Sequence, residues 1–132
     1  MSFGIKRSKA DALFSDLIRE LAGYSCERCK KEFEKPSQLL HCSHFWSRRN
    51  RSVRFDSENV ASLCFSCHRY FTENPQEHSE FFLKKLGKSR FDDLGRRART
   101  PQKVDEKMIA MGLQMELDKL RSELKVLKEY KP

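Results

Sequence analysis

The sequence contains no long hydrophobic run. No stretch is apolar over the roughly 20 residues that a membrane-spanning helix needs, which excludes a membrane partner. The first residues, Met1-Ser2-Phe3-Gly4-Ile5-Lys6-Arg7, lack the apolar segment of a secretory signal. We therefore expect a cytoplasmic protein of a bacterial or phage-infected bacterial cell. Low-complexity segments and internal repeats are also absent, apart from one pair of short cysteine motifs.

Cysteine occurs only five times, an odd number that does not fit a disulfide framework. Four of the five form two Cys-x-x-Cys knuckles, Cys26 with Cys29 and Cys64 with Cys67. Two such knuckles are the usual ligands of a closed tetrahedral zinc site. We expect a structural Zn²⁺ with no open position for chemistry, which staples a small core. Cys42 is left over, and whether it ever binds a metal stays open.

Acidic residues are outnumbered: 19 Asp and Glu stand against 27 Lys and Arg, a formal net charge of +8. This imbalance predicts a polyanionic partner, of which nucleic acid is the commonest. A merely soluble basic protein is the alternative, but the arginines are clustered rather than dispersed. One cluster is expected to grip a phosphate backbone: Arg48, Arg49, Arg51 and Arg54. A second cluster follows later in the chain: Arg90, Arg96, Arg97 and Arg99.

Hydrophobic spacing predicts an α+β fold in which short strands are flanked by helices. We expect three units: residues 1–24, an N-terminal helix packed on the core; residues 25–100, the zinc-bound unit; and residues 101–132, an amphipathic C-terminal helix. The expected elements are a helix over 8–22, strands over 39–45 and 60–63, and helices over 75–86, 89–99 and 102–130. The exposed face of the first helix is expected to carry Asp11, Asp16, Arg19 and Glu20.

Leucines recur along the C-terminal helix at alternating spacings of four and three residues: Leu113, Leu117, Leu120, Leu124 and Leu127. Such a stripe spans about two heptads, which is marginal for an independent coiled coil. Two interpretations remain open. The stripe forms the seam of a homodimer, or it packs back on its own domain.

Three residues have the chemistry that phosphodiester hydrolysis requires. His44 is the candidate general base, because neutral histidine has a pKa near working pH and this one precedes the arginine cluster. His68 directly follows a knuckle cysteine, and we expect it to bind a catalytic divalent metal. Asn59 is expected to hold the loop in place through hydrogen bonds to its backbone.

Each of these residues has a plainer alternative. His44 is otherwise a core histidine, His68 an unused side chain or a zinc ligand, and Asn59 an ordinary turn residue. His41 and Cys42 are ambiguous, since either can face the core or reach a metal. His78 is expected to be a solvated helix residue.

The order of these motifs resembles the HNH endonucleases, the ββα-metal or His-Me finger group. The motifs are Cys-x-x-Cys, His44-Phe45, Asn59-Val60 and Cys64-x-x-Cys67-His68. A finer pattern is similar to the phage NinG (Rap) recombination proteins, which are linked to cleavage of branched DNA such as Holliday junctions. It comprises Cys42-Ser43-His44-Phe45-Trp46-Ser47-Arg48, Val53-Arg54-Phe55-Asp56, Glu58-Asn59-Val60, and Glu80-Phe81 with Leu86-Gly87. The pattern Asp11-x-x-Phe14-Ser15-x-x-Ile18-Arg19 also looks like phage proteins of this kind.

The resemblance implies a small zinc-stapled ββα-metal core of treble-clef type. It implies that His44 is the general base, that Asn59 fixes the geometry of the motif, and that His68 binds a catalytic Mg²⁺ or Mn²⁺. Many HNH enzymes place a second metal ligand directly before the base, where this chain has Ser43. His41, Asn59 or water can complete the metal site instead, since Mg²⁺ readily keeps several waters.

The leading hypothesis is a metal-dependent endonuclease acting on branched or double-stranded DNA in phage recombination. A zinc-stabilised DNA-binding module without catalysis is the alternative that Ser43 keeps open. A third possibility is an HNH nuclease of packaging, restriction or homing type. Sequence specificity separates that possibility from a junction enzyme, which recognises the shape of the DNA.

Overall fold

A two-stranded antiparallel ribbon lies at the centre of the protein. The structure, a computed structural model, describes residues 6–130; residues 1–5, part of the segment searched for a signal, and residues 131–132 of the third unit lie outside it. Strands β1 (Leu40–His44) and β2 (Val60–Cys64) pair in a register that sets Leu40 opposite Cys64 and His44 opposite Val60. No helix in the described part of the chain is long and apolar enough to cross a bilayer.

The helices pack on both faces of the ribbon, because successive side chains along a strand point to opposite faces and both faces carry apolar residues. Their bounds are α1 Lys9–Leu21, α2 Phe65–Glu73, α3 Pro75–Leu86, α4 Lys88–Ala98 and α5 Glu106–Glu129. Helix α2 continues directly from β2, so the order β1, β2, α2 is that of a ββα core. The predicted α+β fold with a zinc-type cysteine cluster is confirmed.

An aromatic core fills one face of the ribbon. Leu63 of β2 packs there with Phe71 of α2 and Phe82 of α3, and each is at most 3% exposed. Gly87 ends α3 with a φ of 82°, a left-handed conformation that glycine adopts without strain, and the chain then enters α4. Helix α4 covers the loop between the strands, where Leu94 buries against Val53.

His78 belongs to this aromatic core, so the expectation of a solvated histidine on α3 is wrong. Its ring stacks on Phe71 at a centroid distance of 5.1 Å and meets Phe45 and Phe82 edge-on. Its Nε2 is buried without a hydrogen-bond partner among the described residues. Burial lowers the pKa of His78, so the neutral ring serves as a packing group.

Helices α1 and α5 cover the other face, where Val60 of β2 joins Phe14, Leu17, Leu113 and Leu117 in a second core cluster. They run in parallel, because the first turn of each borders one shared groove and the end of α1 lies beside the middle of α5. The N-terminus of α1 is closed by a capping box between Ser8 and Asp11.

The leucine stripe of α5 is divided between core and surface. Leu113 and Leu117 are 9% and 1% exposed against α1, and Leu120 packs beside them. Leu127, which lies beyond the end of α1, is 68% exposed. A homodimer seam through all five leucines is therefore excluded, because α1 of the same chain covers its first half. The interpretation that the stripe packs on its own domain is correct for Leu113, Leu117 and Leu120.

Replacing Leu117 with alanine is expected to cost about 2–5 kcal/mol of unfolding free energy, because it opens a cavity in a closed cluster. Urea unfolding followed by circular dichroism measures this cost. Leu127→Ala is the matched control on the exposed part of the same stripe, with an expected change of at most about 0.5 kcal/mol. If the two variants were equally stable and either formed a smaller oligomer than the wild-type protein, this packing would be wrong.

The charged face of α1 is also less exposed than the sequence predicts. Asp11, Arg19 and Glu20 are 6%, 4% and 6% exposed. Arg19 donates to Asp16 at 2.7 Å and to the carbonyl of Leu40 at 3.3 Å. Because β1 and the loops close over α1, these charges are paired inside the protein, as buried charges must be.

Candidate metal and histidine site

The four knuckle cysteines converge on one point. Their Sγ atoms all lie within 4.8 Å of one another, and the Sγ atoms of Cys29 and Cys64 are 3.8 Å apart. A tetrahedral ion with metal–sulfur bonds of about 2.3 Å has sulfur–sulfur edges of about 3.8 Å. The cysteines are therefore positioned to bind a metal ion such as zinc, as the sequence predicts.

Local backbone geometry shapes the first knuckle. Tyr24 and Lys30 adopt positive φ angles of 54° and 67°, and the Lys30 N–H donates to the carbonyl of Cys26 at 2.9 Å. Burial raises the pKa of the Cys26 thiol, but backbone N–H groups of Cys29, Cys64 and Arg28 outweigh it and lower the pKa to about 7. The turn therefore favours the thiolate, the form that binds metal.

Arg28 links the first knuckle to the second. Its Nη1 donates to Sγ of Cys67 at 3.4 Å, and its guanidinium lies 4.0 Å from the ring centroid of Tyr70 on α2. Glu27 accepts from the backbone N–H of Ser62 at 2.6 Å. These contacts hold the first knuckle against β2 and α2. The four cysteines are therefore kept close together by side-chain contacts as well as by any bound metal.

His44 ends β1 and is half-buried beside Phe14 of α1, with ring centroids 6.2 Å apart. Its Nε2 lies 2.8 Å from the carbonyl oxygen of Arg54. A carbonyl can only accept, so neutral His44 carries its proton on Nε2 and has its lone pair on Nδ1. Burial lowers the pKa of His44, and the positive charge of Arg48 lowers it further. The carbonyls of Arg54 and Cys42 and the charge of Asp11 raise this pKa, but by less.

Asn59 is fully buried, and its amide group joins the two ends of the loop that connects the strands. Its Oδ1 accepts from the Trp46 N–H at 2.7 Å. Its Nδ2 donates to the carbonyls of Trp46 and Val53 at 2.9 and 3.0 Å. The Asn59 side chain therefore has the bonds that an orienting residue needs. It holds the backbone at Trp46, two residues after His44 at the end of β1.

His68 of α2 faces His41 of β1. Their Nδ1 atoms are 3.0 Å apart, and their ring planes meet at 79°. This separation is that of a hydrogen bond between the two rings. Adjacent ligands of an octahedral ion with bonds of about 2.1 Å are also about 3.0 Å apart. Burial, followed by the charge of His41, lowers the pKa of His68 to about 4 and keeps it in the neutral, metal-binding form.

Ser43, at the position where many HNH enzymes have a metal ligand, is 2% exposed and pairs in register with Ala61. The structure instead sets His41 against His68. Two histidines are a thin ligand set: among residues 6–130, only the four cysteines form a group of three or more potential ligands.

A cleft of about 330 Å³ lies between β1 and α1, lined by His41, His44, Arg48, Asp11 and Arg19, among others. A neighbouring cleft of about 380 Å³ is strongly basic, and its walls include Lys6, Arg48, Arg49, Arg51 and Arg54. Arg48 is common to both. The loop that carries the arginine cluster therefore lies beside the candidate base, as the sequence predicts, and Arg48 lines the cleft of His44.

Arg54 departs from the other arginines of the cluster. It is 6% exposed, and its guanidinium is engaged by both carboxylate oxygens of Asp11. A direct grip on a phosphate backbone does not fit this position, and Arg54 instead fixes the loop whose carbonyl holds His44. Arg49 and Arg51 are exposed on the same loop.

The second arginine cluster is largely occupied with internal ion pairs. Arg97 of α4 contacts Asp56 and Glu58, each at 2.9 Å, and Arg90 contacts Glu58 at 2.6 Å. These pairs hold the turn that precedes Asn59. Sequence reasoning missed this role and that of Asp11, because no local spacing indicates which distant charge a side chain meets.

The HNH endonuclease family model matches residues 26–72, from the first knuckle through β1 and β2 to α2. Neither the curated proteins nor the solved structures contain a match to the chain. The matched segment includes every residue of the cysteine cluster, the candidate base, Asn59 and the His41–His68 pair. Helices α1, α3, α4 and α5 lie outside it. Residues 26–72 are thus similar to the HNH endonuclease family, and the match covers about a third of the chain.

Proposed function

We propose that this protein is a metal-dependent DNA endonuclease that cuts branched DNA, such as Holliday junctions, during phage recombination. The HNH domain implies DNA as the substrate. The observation that carries the catalytic part is the hydrogen bond from His44 Nε2 to the Arg54 carbonyl, which leaves a basic nitrogen on a half-buried ring that lines the same cleft as Arg48. Similarity to the NinG motifs supports the preference for branched DNA.

In the proposed reaction, Nδ1 of His44 takes a proton from a water molecule. The water oxygen bonds to phosphorus, the bond from phosphorus to the 3′ oxygen breaks, and the released oxygen acquires a proton from solvent. The resemblance to HNH enzymes implies products with 5′-phosphate and 3′-hydroxyl ends. A positioned base of this kind contributes about 10²–10⁴-fold to the rate.

His68 and His41 would hold a divalent cation, Mg²⁺ or Mn²⁺. When bound, such a cation stabilises negative charge on the leaving oxygen. Asn59 keeps the strand end and the loop in register, so the base stays beside the cleft. Arg48, Arg49 and Arg51 neutralise phosphates around the cut, which positions the strand without reading its bases.

Matched linear duplex and four-way junction DNA test the proposal when they are incubated with the wild-type protein in Mg²⁺, in Mn²⁺ or without either ion. Metal-dependent cutting with a preference for the junction is the expected result. Sequence-specific cutting of the duplex would favour a restriction or homing role. Binding without cutting in every metal would leave the non-catalytic DNA-binding module, which the buried Ser43 and the thin ligand set favour.

Cleavage should depend on the protonation of His44. Neutral His44 is the base, so activity is present above its pKa and falls as the pH drops through it. Burial and Arg48 lower this pKa and outweigh Asp11, so the acidic limb of kcat/KM should lie below pH 6.5, the ordinary value for histidine. Initial rates at saturating metal, measured against pH, check this. A midpoint above 6.5 would assign the limb to another group.

A further inference from the structure

Arg48 stands between the two clefts. It lines the cleft that contains His44 and also the basic cleft formed with Arg49 and Arg51. One corner of its guanidinium is held, because Nη2 donates to Oδ2 of Asp11 at 3.1 Å. Its Nε is buried and has no hydrogen-bond partner among the described residues. The guanidinium is thus anchored to α1 through Nη2, and its Nε lies inside the protein.

The anchor comes from α1, outside the HNH match. Asp11 is 6% exposed and accepts from Arg48, from Arg54 and from the capping residue Ser8. Burial raises the pKa of Asp11, but the hydrogen bonds from Arg54 and Ser8 outweigh it and hold the pKa well below its usual range. The carboxylate is therefore charged throughout the working range of pH.

The two arginines on Asp11 have different positions. Arg54 is as buried as Asp11 and ties the loop to α1, whereas the Arg48 side chain is 24% exposed and borders both clefts. A long arginine side chain loses about 2 kcal/mol of rotamer entropy when it is fixed. An internal carboxylate that fixes it beforehand removes this cost from substrate binding. A fixed guanidinium whose side chain still reaches solvent suits a phosphate oxygen.

We propose that Asp11 is a positioning residue that holds Arg48 at the boundary of the two clefts, where Arg48 binds the DNA phosphate next to the one that is cut. Asp11 itself touches no substrate in this arrangement. The inference rests on the proposed nuclease function, and it adds that α1 forms part of the substrate-binding surface. It also gives the strand a path, from the cleft at His44 across Arg48 to the basic cleft.

A double-mutant cycle tests the inference, using Asp11→Asn, Arg48→Ala and the double variant of the full chain. Each single variant should lower kcat/KM for junction cleavage by up to about 100-fold, the effect of a misplaced binding group. The double variant should be no slower than Arg48→Ala alone, because Asp11 acts through Arg48. Effects that multiply, or wild-type cleavage by Asp11→Asn, would overturn the inference.

Two controls distinguish a loss of Arg48 positioning from a loss of protein stability. Ser8→Ala removes the hydroxyl of the capping box but keeps the Asp11 carboxylate, so it should lower the melting temperature and leave kcat/KM within about twofold of wild type. If Asp11→Asn does not fold, the Nε–H resonance of Arg48 in the wild-type protein replaces the cycle. It should shift when uncleaved junction DNA is added in buffer without Mg²⁺ or Mn²⁺, and an unmoved resonance would overturn the inference.

A measurement of DNA binding distinguishes failure of the nuclease proposal from failure of the role proposed for Asp11. The same cycle is measured as the Kd for junction DNA in buffer without Mg²⁺ or Mn²⁺, where the zinc stays bound and no cutting is expected. If the wild-type protein never cuts but the variants remain coupled in binding, the nuclease proposal fails and the role of Asp11 stands. If the wild-type protein cuts and the variants are independent in both readouts, the role of Asp11 fails and the nuclease proposal stands.

Discussion

Replacing His44 with alanine is expected to reduce metal-dependent cleavage by about 10²–10⁴-fold, the contribution of a positioned general base. The expectation follows from the tautomer that the Arg54 carbonyl imposes, because that tautomer leaves the lone pair on Nδ1 to accept the proton in the proposed reaction. Single-turnover cleavage of junction DNA in Mg²⁺ and Mn²⁺ measures the loss. A single-turnover assay is needed because it reports the chemical step without product release.

His44→Ala should leave the rest of the site intact. The ring is half-buried beside Phe14, so a moderate loss of stability is expected, while zinc content and the Kd for DNA should stay close to wild type. Added imidazole should restore part of the activity, since a small base can occupy the space of the missing ring. Cleavage at the wild-type rate would remove His44 from the mechanism and move the search for a base to the His41–His68 pair.

Loss of the knuckle metal is expected to unfold the domain. Replacing Cys64 with serine removes one ligand of a four-thiolate cluster that joins the first knuckle to β2 and α2. Structural zinc in small domains supplies roughly 10–16 kcal/mol of apparent binding free energy, which is as large as the roughly 5–15 kcal/mol of total stability that a domain holds. Native mass spectrometry should show one zinc per wild-type chain and none firmly bound to Cys64→Ser.

The fifth cysteine provides the matched control. Cys42 lies outside the cluster, and burial raises its pKa to about 12, so it stays a neutral thiol. Cys42→Ala should retain one zinc and a wild-type circular dichroism spectrum. A strong chelator should unfold both the wild-type protein and Cys42→Ala. If the wild-type protein keeps its melting temperature in the presence of the chelator, metal binding at the cysteine cluster does not stabilise this fold.

Patterns of local spacing predicted most elements correctly. The strands of the ribbon were expected at 39–45 and 60–63 and occur at Leu40–His44 and Val60–Cys64. Helix α3 begins at Pro75 and ends before Gly87 as expected, because proline favours a first turn and glycine the left-handed residue after the last. Cys-x-x-Cys spacing likewise sufficed to predict the metal cluster, since each knuckle is a single turn.

Predictions failed where a distant element decides the environment of a side chain. Asp11 and Arg19 were assigned to an exposed face by helical periodicity, which cannot report that β1 and the loops close over α1. The sequence around His78 predicts a solvated residue, because nothing adjacent to it shows that Phe71 and Phe82 enclose its ring. Periodicity identified the leucine stripe of α5 but could not choose its partner, which proved to be α1 of the same chain.

The sequence by itself determined the local units of this protein: the two knuckles, the ribbon strands, the helix ends and the order of His44, Asn59 and His68. Each follows from backbone geometry and side-chain chemistry within a few residues. Only the tertiary structure decided which groups meet across the chain, including His41 with His68, Asp11 with Arg48 and Arg54, and Arg97 with Asp56. The reason is physical: buried charges and imidazoles must find partners, and the partner that lies within reach depends on how separate helices and strands pack together.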